Sequence, residues 1–322
     1  MKNENLLLEI KDLRVTFRQK DKFIKAVDGL DITIREGEIF GLVGESGSGK
    51  SVTSLSIMRL LDETAKIEAK WIKLKGHDLL SLSEKEMREI RGNRISMIFQ
   101  DPMTSLNPSI TVGKQIEESL MVHRGMAGTN AKKKACELME MLAIPDSQDA
   151  ANRFPHEFSG GMRQRVMIAM ALSCDPSLLI ADEPTTALDV TIQAQILDLL
   201  KRLISKLDVS VLLITHDFGV IAELCTHVSI IYGGSIVEYA PIDVILSGPK
   251  HPYTMGLLAC IIPFDKEIEK LEVIVGGPPD PAKFPSGCKF HPRCKFSKKS
   301  CSEETPELRE IKPGHFVRCD HS

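Results

Sequence analysis

Two stretches of this 322-residue chain carry residue types whose spacing suits phosphate chemistry. The first is Gly44-Glu45-Ser46-Gly47-Ser48-Gly49-Lys50-Ser51, followed by Val52, which fits the pattern G-x-x-x-x-G-K-[ST]. Its glycines let backbone N–H groups turn inward around an anion, and a helix opening at its end adds the positive end of a helix dipole. Lys50 offers a point charge to β- and γ-phosphates, and Ser51 a hydroxyl ligand for Mg²⁺. The second stretch is Leu178-Leu179-Ile180-Ala181-Asp182-Glu183, an apolar run that ends in two carboxylates. In open α/β sheets ligands sit at strand ends. There, Asp182 is suited to hold a metal ion and Glu183 to polarise an attacking water. Alone, the first pattern specifies only a nucleoside triphosphate, and the second reads equally as a solvated turn before Pro184.

These groups need elements that position them. Ile39–Val43 is a short apolar run entering the glycine-rich turn, and Ser51–Leu61 has helical spacing, so the loop should join a buried strand to a helix. Leu6–Phe17 and Ala26–Ile34 alternate as strands do, and Ile95–Phe99 reads as a further buried strand. Ile116–His123, Ala131–Leu142 and Gly161–Leu172 repeat apolar residues at helical intervals, which predicts a helical subdomain over about 103–172. Ser177–Ala181, the amphipathic Val190–Leu207 and Val209–Thr215 form a βαβ rhythm with strands covered on both faces. Val228–Tyr239, broken by Gly233-Gly234, reads as a hairpin. Beyond about Leu246 proline and glycine become dense, which suggests a boundary between residues 1–247 and 248–322.

Hydrophobic residues make up 43% and charged residues 26%, as expected of a packed protein rather than a disordered one. The net charge of −3 gives no global basic field, so nucleic acid is not an expected partner. Neither a signal peptide nor an apolar run long enough to span a bilayer is visible, so a cytosolic location is expected, with any membrane attachment made through partners.

Between the two stretches lies Phe158-Ser159-Gly160-Gly161-Met162, whose Ser159 precedes Asp182 by 23 positions. Here the chain resembles the ATP-binding-cassette family, whose signature L-S-G-G-Q opens a helix ahead of the acidic strand. Phe158 and Met162 replace the first and last signature residues, while Ser159, Gly160 and Gly161 are intact. The resemblance implies that these three cradle the ATP held by a second ATPase subunit. It also implies that Gln100 contacts Mg²⁺ and the attacking water, that Asp189 of Ala187-Leu188-Asp189 lies at the dimer interface, and that His216 reaches the γ-phosphate. Phe17, 33 positions before Lys50, matches the residue that stacks on adenine, with Phe23 as a nearby competitor. The likeness covers residues 6–245.

The remainder resembles one subgroup, the ATP-binding subunits of oligopeptide, dipeptide and nickel importers. It begins at His251-Pro252-Tyr253-Thr254 and continues through Pro285-Ser286-Gly287-Cys288-Lys289-Phe290-His291-Pro292-Arg293-Cys294. Cys288, Cys294, Cys301 and Cys319 crowd into this end, separated by five, six and seventeen residues. In a reducing compartment such a group suggests a metal site, and the absence of C-x₂₋₄-C pairs argues against a zinc knuckle. The family likeness points to a [4Fe–4S] cluster, with zinc or unligated cysteines as the alternatives; the segment has few apolar residues, so such a cluster would act as a staple. The fold expected is therefore α/β: a P-loop cassette core, a helical subdomain and a small cysteine-bearing C-terminal domain. The function implied is ATP hydrolysis, with Mg²⁺, powering import of di- or oligopeptides from the cytoplasmic face of the membrane. The implied partners are a second ATPase subunit (often a paralogue), two transmembrane permease subunits and an extracytoplasmic solute-binding protein. Nickel or another small solute is the alternative cargo, and a soluble cassette ATPase of DNA repair or translation is the rival class.

Overall fold

The computed structural model describes residues 5–20, 22–186, 188–260 and 274–321. The chain divides into two compact units, one made of residues 1–34, 39–80 and 213–322, the other of 35–38 and 81–212.

The first unit is built on strands whose apolar residues are buried. Leu6–Gln19 has Leu7, Leu8, Ile10, Leu13 and Val15 in the core, and it pairs antiparallel with Ala65–Glu68 and with Trp71–Leu74. Lys22–Arg35 flanks it on its other side. Ile39–Val43 runs parallel to His227–Tyr232, with Val43 opposite Ile230. His227–Tyr232 turns at Gly233-Gly234 into Ser235–Pro241, the hairpin that alternation and the glycine pair predict. Gly234 has φ +77°, and a β-carbon there would lie 2.8 Å from the Ala26 carbonyl oxygen, so glycine is required twice over.

The late part of the chain joins this unit by backbone pairing. His315–Val317 lies antiparallel to Ser235–Pro241, and Arg309–Lys312 pairs with it in turn. At the junction Glu238 is fully buried. Its carboxylate accepts from the backbone N–H groups of Lys250 (2.7 Å) and His251 (2.9 Å) and lies 2.8 Å from Nε2 of His315. Sequence periodicity fades after Leu246, yet Pro252–Ala259 is a helix. His251 caps it, its Nδ1 accepting from the Tyr253 N–H at 3.1 Å. The aromatic rings of Tyr232, Tyr253 and Phe290 are packed together at 4.6–5.4 Å.

The second unit carries the parallel strands Ile95–Ile98 and Leu178–Asp182, every residue of both buried, with Ile95 opposite Leu178 and Ile98 opposite Ala181. Continuous apolar runs suit strands covered on both faces. The helices Val112–Arg124, Thr129–Met141 and Gly160–Leu172 pack on one another. Gly113 lets the first of them approach the chain at Ala151, where a β-carbon would lie 2.6 Å from the Ala151 carbonyl oxygen. Val190–Leu207 buries Ile196, Leu197, Leu199, Leu200, Leu203 and Ile204, one stripe at helical spacing. Asp189 caps it, accepting from the Ile192 N–H at 2.9 Å. The division between the units falls inside the strand Ser210–Thr215.

The expectation of an iron–sulfur cluster, or of zinc in its place, is overturned. Among the described residues no group of three or more His, Cys, Asp or Glu is arranged to hold a metal ion. Cys288, Cys294, Cys301 and Cys319 border one cavity of about 350 Å³ alongside Phe290, Phe296 and Met255, without gathering as a ligand set. Burial pushes the thiols of Cys288, Cys294 and Cys319 up from their ordinary value. Strand pairing, Glu238 and the aromatic cluster fasten this part of the chain instead.

His251 supplies a pH test of that fastening. Burial, reinforced by the positive charge of Arg318, pushes its imidazole down to about 3 from an ordinary value of 6.5. The unfolded chain then binds the extra proton between these values, so stability is complete above about pH 6.5 and is lost as pH falls below it, by about 1.4 kcal/mol per pH unit. Urea unfolding at pH 7 and pH 5 should therefore show a smaller loss for His251→Asn, whose side-chain oxygen can still cap the helix, than for the native protein. Equal losses would contradict this role.

Candidate functional site

The loop Gly44–Ser51 leaves the buried strand Ile39–Val43 and enters the helix Lys50–Met58, as the sequence pattern requires. Three of its glycines have distinct reasons to be glycine. Gly47 and Gly49 have φ of +75° and +108°. A β-carbon on Gly49 would lie 2.5 Å from the Ala26 carbonyl oxygen, and one on Gly44 would lie 2.3 Å from that of Ile231 and 2.7 Å from Oγ of Ser48. The loop is also tied down from outside, since the Gly234 N–H donates to the Ser48 carbonyl at 2.9 Å. Ser46 and Gly47 form its exposed tip, while Ser48, Gly49 and Lys50 are buried and Ser51 and Val52 half-buried.

Lys50 is buried, and its ammonium donates to the carbonyl oxygens of Gly44 (2.8 Å) and Glu45 (3.1 Å), which holds it across the loop. Oγ of Ser48 is buried with no hydrogen-bond partner among the described residues. A glycine cradle, an orphaned hydroxyl, a held ammonium and a helix N-terminus together fit a polyphosphate. Glu45 is held from outside the loop. Its N–H donates to the hydroxyl oxygen of Tyr253 at 2.9 Å, and its carboxylate accepts both arms of the Arg293 guanidinium at 2.9 and 3.2 Å. Tyr253 and Arg293 lie in sequence motifs without an evident role, because 208 and 248 positions separate them from Glu45.

In the same unit, His216 is exposed just beyond the strand Ser210–Thr215. Behind it, Asp217 caps the helix Phe218–Leu224 by accepting from the Gly219 N–H at 2.7 Å. Phe17 is half-buried opposite Ala65, whereas Phe23 is largely exposed.

In the other unit the strand Leu178–Asp182 ends with Asp182 buried, and Glu183 follows with φ +47°. A glutamate in the left-handed region is strained, and such strain concentrates at working sites. The turn is braced by Gln164, whose Nε2 donates to the Pro184 carbonyl. The Glu183 carboxylate accepts from Nε2 of Gln100 (3.1 Å) and from the hydroxyl of Thr186 (2.8 Å). Two residues that the sequence assigned to catalysis thus meet across 83 positions. Thr186 was not anticipated, although its spacing of three from Glu183 in a turn is a usable signal.

Ser159 is the exposed cap of Gly160–Leu172, its hydroxyl accepting from the Met162 N–H at 3.4 Å. Phe158 is buried, so this departure from the signature serves the core. Gly161 faces Ile192, where a β-carbon would lie 2.6 Å from Cγ2. Asp189 is exposed beside Val190, and Ala187 lies outside the described residues.

A glycine-lined cradle at a helix start, with a strand-end carboxylate elsewhere in an α/β chain, defines a P-loop nucleoside triphosphatase. Comparison with known proteins carries this further. Residues 27–186 match the family described as ABC transporter, and residues 237–301 the oligopeptide/dipeptide transporter, C-terminal region. The chain is 51% identical over 314 residues to the oligopeptide transport ATP-binding protein AppD of Bacillus subtilis (strain 168), covering 97% of this chain and 96% of that one. It is 47% identical over 313 residues to a putative peptide import ATP-binding protein of Brucella abortus (strain 2308), covering 97% and 94%. A solved dimer of the ATP-binding cassette MJ0796, in a post-hydrolysis state bound to ADP and Pi, matches 73% of this chain and 99% of its own. That match has 30% identity and a TM-score of 0.66. The fold is also that of cbiO1 from Clostridium perfringens, with 23% identity, 76% and 92% coverage and a TM-score of 0.64. The chain belongs to the ATP-binding-cassette transporter family, and it is an ATPase of that family.

The cradle's geometry yields a direct expectation. Gly49→Ala forces an L-residue to φ +108° against the Ala26 carbonyl, so MgATP affinity should fall by about tenfold or more. Calorimetric titration checks this, and an unchanged affinity would show that the loop tolerates the distortion.

Proposed function

We propose that this chain hydrolyses ATP to power the import of small peptides, as the nucleotide-binding subunit of a membrane importer. Peptide cargo is supported by identity of 47–51% over nearly the whole chain to peptide-import ATP-binding proteins, and by the match of residues 237–301. The chemistry rests on one observation above all: Gln100 and Thr186 both donate to the carboxylate of a strained Glu183.

Gly44–Ser51 and Val52 take the ATP phosphates, and the ammonium of Lys50 supplies positive charge to the β- and γ-groups. Phe17 stacks on the adenine. Ser51, Gln100 and Asp182 offer hydroxyl, amide and carboxylate oxygens, a donor set that suits Mg²⁺. When bound there, Mg²⁺ neutralises charge on the phosphate oxygens. Glu183 accepts a proton from the attacking water, and two donors on the carboxylate fix its orientation. Gln100 orients that water, and His216 contacts the γ-phosphate.

Ser159, Gly160 and Gly161 serve the ATP of a second cassette subunit, and Asp189 lies at the interface with it. The dimeric cassette among the structural neighbours supports this arrangement. Among the described residues no helix is long and apolar enough to cross a membrane. Two permease subunits and an extracytoplasmic solute-binding protein complete the assembly, with this chain on its cytoplasmic face. Residues 1–247 form the ATPase domain, with its helical subdomain at about 103–172, and residues 248–322 the subgroup's C-terminal region.

Glu183→Gln tests the mechanism. Removing the base should cut phosphate release by about a hundredfold or more while MgATP binding is retained and the subunits stay closed on ATP. Near-normal turnover would remove Glu183 from this role.

A further inference from the structure

The phosphate loop is gripped by residues more than two hundred positions away in sequence. The side chain of Arg293 is only 8% exposed, and every arm of its guanidinium is engaged. Nε donates to the Val275 carbonyl at 3.2 Å, Nη1 to Glu45 at 2.9 Å and to the Tyr232 hydroxyl at 3.3 Å, and Nη2 to Glu45 at 3.2 Å and the Ile274 carbonyl at 3.5 Å. A planar fork held at so many points presents a fixed bidentate partner to a carboxylate. The second grip is the hydroxyl oxygen of Tyr253, which accepts from the Glu45 N–H. Burial pushes that hydroxyl up, so it stays protonated, and the ring is locked against Tyr232 and Phe290.

Both grips converge on Glu45, and Glu45 is not a bystander. Its own carbonyl and that of Gly44 accept the Lys50 ammonium. Tyr253 therefore holds the Gly44–Glu45 peptide whose carbonyl takes the lysine, and Arg293 holds the side chain of the residue that offers the second carbonyl. A second effect is electrostatic. Glu45 places a carboxylate on a loop that must receive a polyanion, and the repulsion grows as the distance shrinks and the local dielectric falls. Arg293 neutralises that charge and fixes where it points.

We propose that Arg293 and Tyr253 are positioning residues for the ATP site: through Glu45 they set the loop's first peptide, and with it Lys50, and Arg293 cancels the loop's own negative charge. This gives the C-terminal region a role in nucleotide binding. The proposal rests on reading Gly44–Ser51 as the ATP-phosphate loop.

The test measures the Kd of MgATP by calorimetry on the full chain in four forms: native, Arg293→Gln, Glu45→Gln and the double variant. Arg293→Gln should weaken binding about fivefold or more when Glu45 is present, and less than about twofold when position 45 is already Gln. A residue that only stabilises the fold would lower the melting temperature alike in both backgrounds and leave the two Kd ratios equal. Equal ratios, or no weakening at all, would overturn the proposal. Should Arg293→Gln fail to fold, Arg293→Lys keeps the charge but loses the fork, and it is judged by the same two ratios. Lys50→Ala separates the failures. If it abolishes binding while Arg293→Gln does nothing, only this inference falls; if it leaves binding intact, the phosphate-loop reading falls and this inference with it.

Discussion

A backbone that curls tightly enough to surround phosphate has almost no room for side chains, and this molecule is arranged around that restriction. Gly44 and Gly49 are pressed against the carbonyl oxygens of Ile231 and Ala26, and Gly234 against that of Ala26 again. Strand, hairpin and loop therefore specify one another. The parallel pairing of Ile39–Val43 with His227–Tyr232 sets the loop's origin, and the hairpin turn supplies both a neighbouring carbonyl and the Gly234 N–H that holds Ser48. Lys50 is buried within the same closure, where loop carbonyls accept from its ammonium.

The acidic strand end shows a different physical solution. Leu178–Asp182 is buried along its whole length, so its terminus is rigid, and the carboxylate that follows sits in a backbone conformation few glutamates adopt. Such strain persists only where surroundings over-determine it. Here Gln164 bonds the next carbonyl, and Gln100 and Thr186 fix the carboxylate. Preorganised acceptors of this kind need little rearrangement when the reaction begins.

How much of this was legible in the sequence depended on distance along the chain. The phosphate loop, its strand and helix, the hairpin at Gly233-Gly234 and the helix Val190–Leu207 are local features, and local pattern located each of them. The short strands Ala65–Glu68 and Trp71–Leu74 went unread because they interleave charged and apolar residues over only four positions each. Phe158 read as a departure from a motif until burial explained it as a core side chain. The late cysteines misled for a related reason. Bordering one cavity is not the same as forming a ligand set: all four cysteines line that space, yet among the described residues no three of the His, Cys, Asp and Glu side chains are arranged to hold a metal ion. The clamp on Glu45 could not be read at all, since it depends on the fold bringing a strand end at Tyr232, a helix start at Tyr253 and a turn at Arg293 to one place.

The central claim is that this chain binds MgATP on the Gly44–Ser51 loop through Lys50. Isothermal titration of MgATP into the full-length protein and its Lys50→Ala variant tests it most directly. The account predicts saturable binding by the native chain and a loss of about a hundredfold or more in the variant. Equal affinity in the two proteins would contradict it.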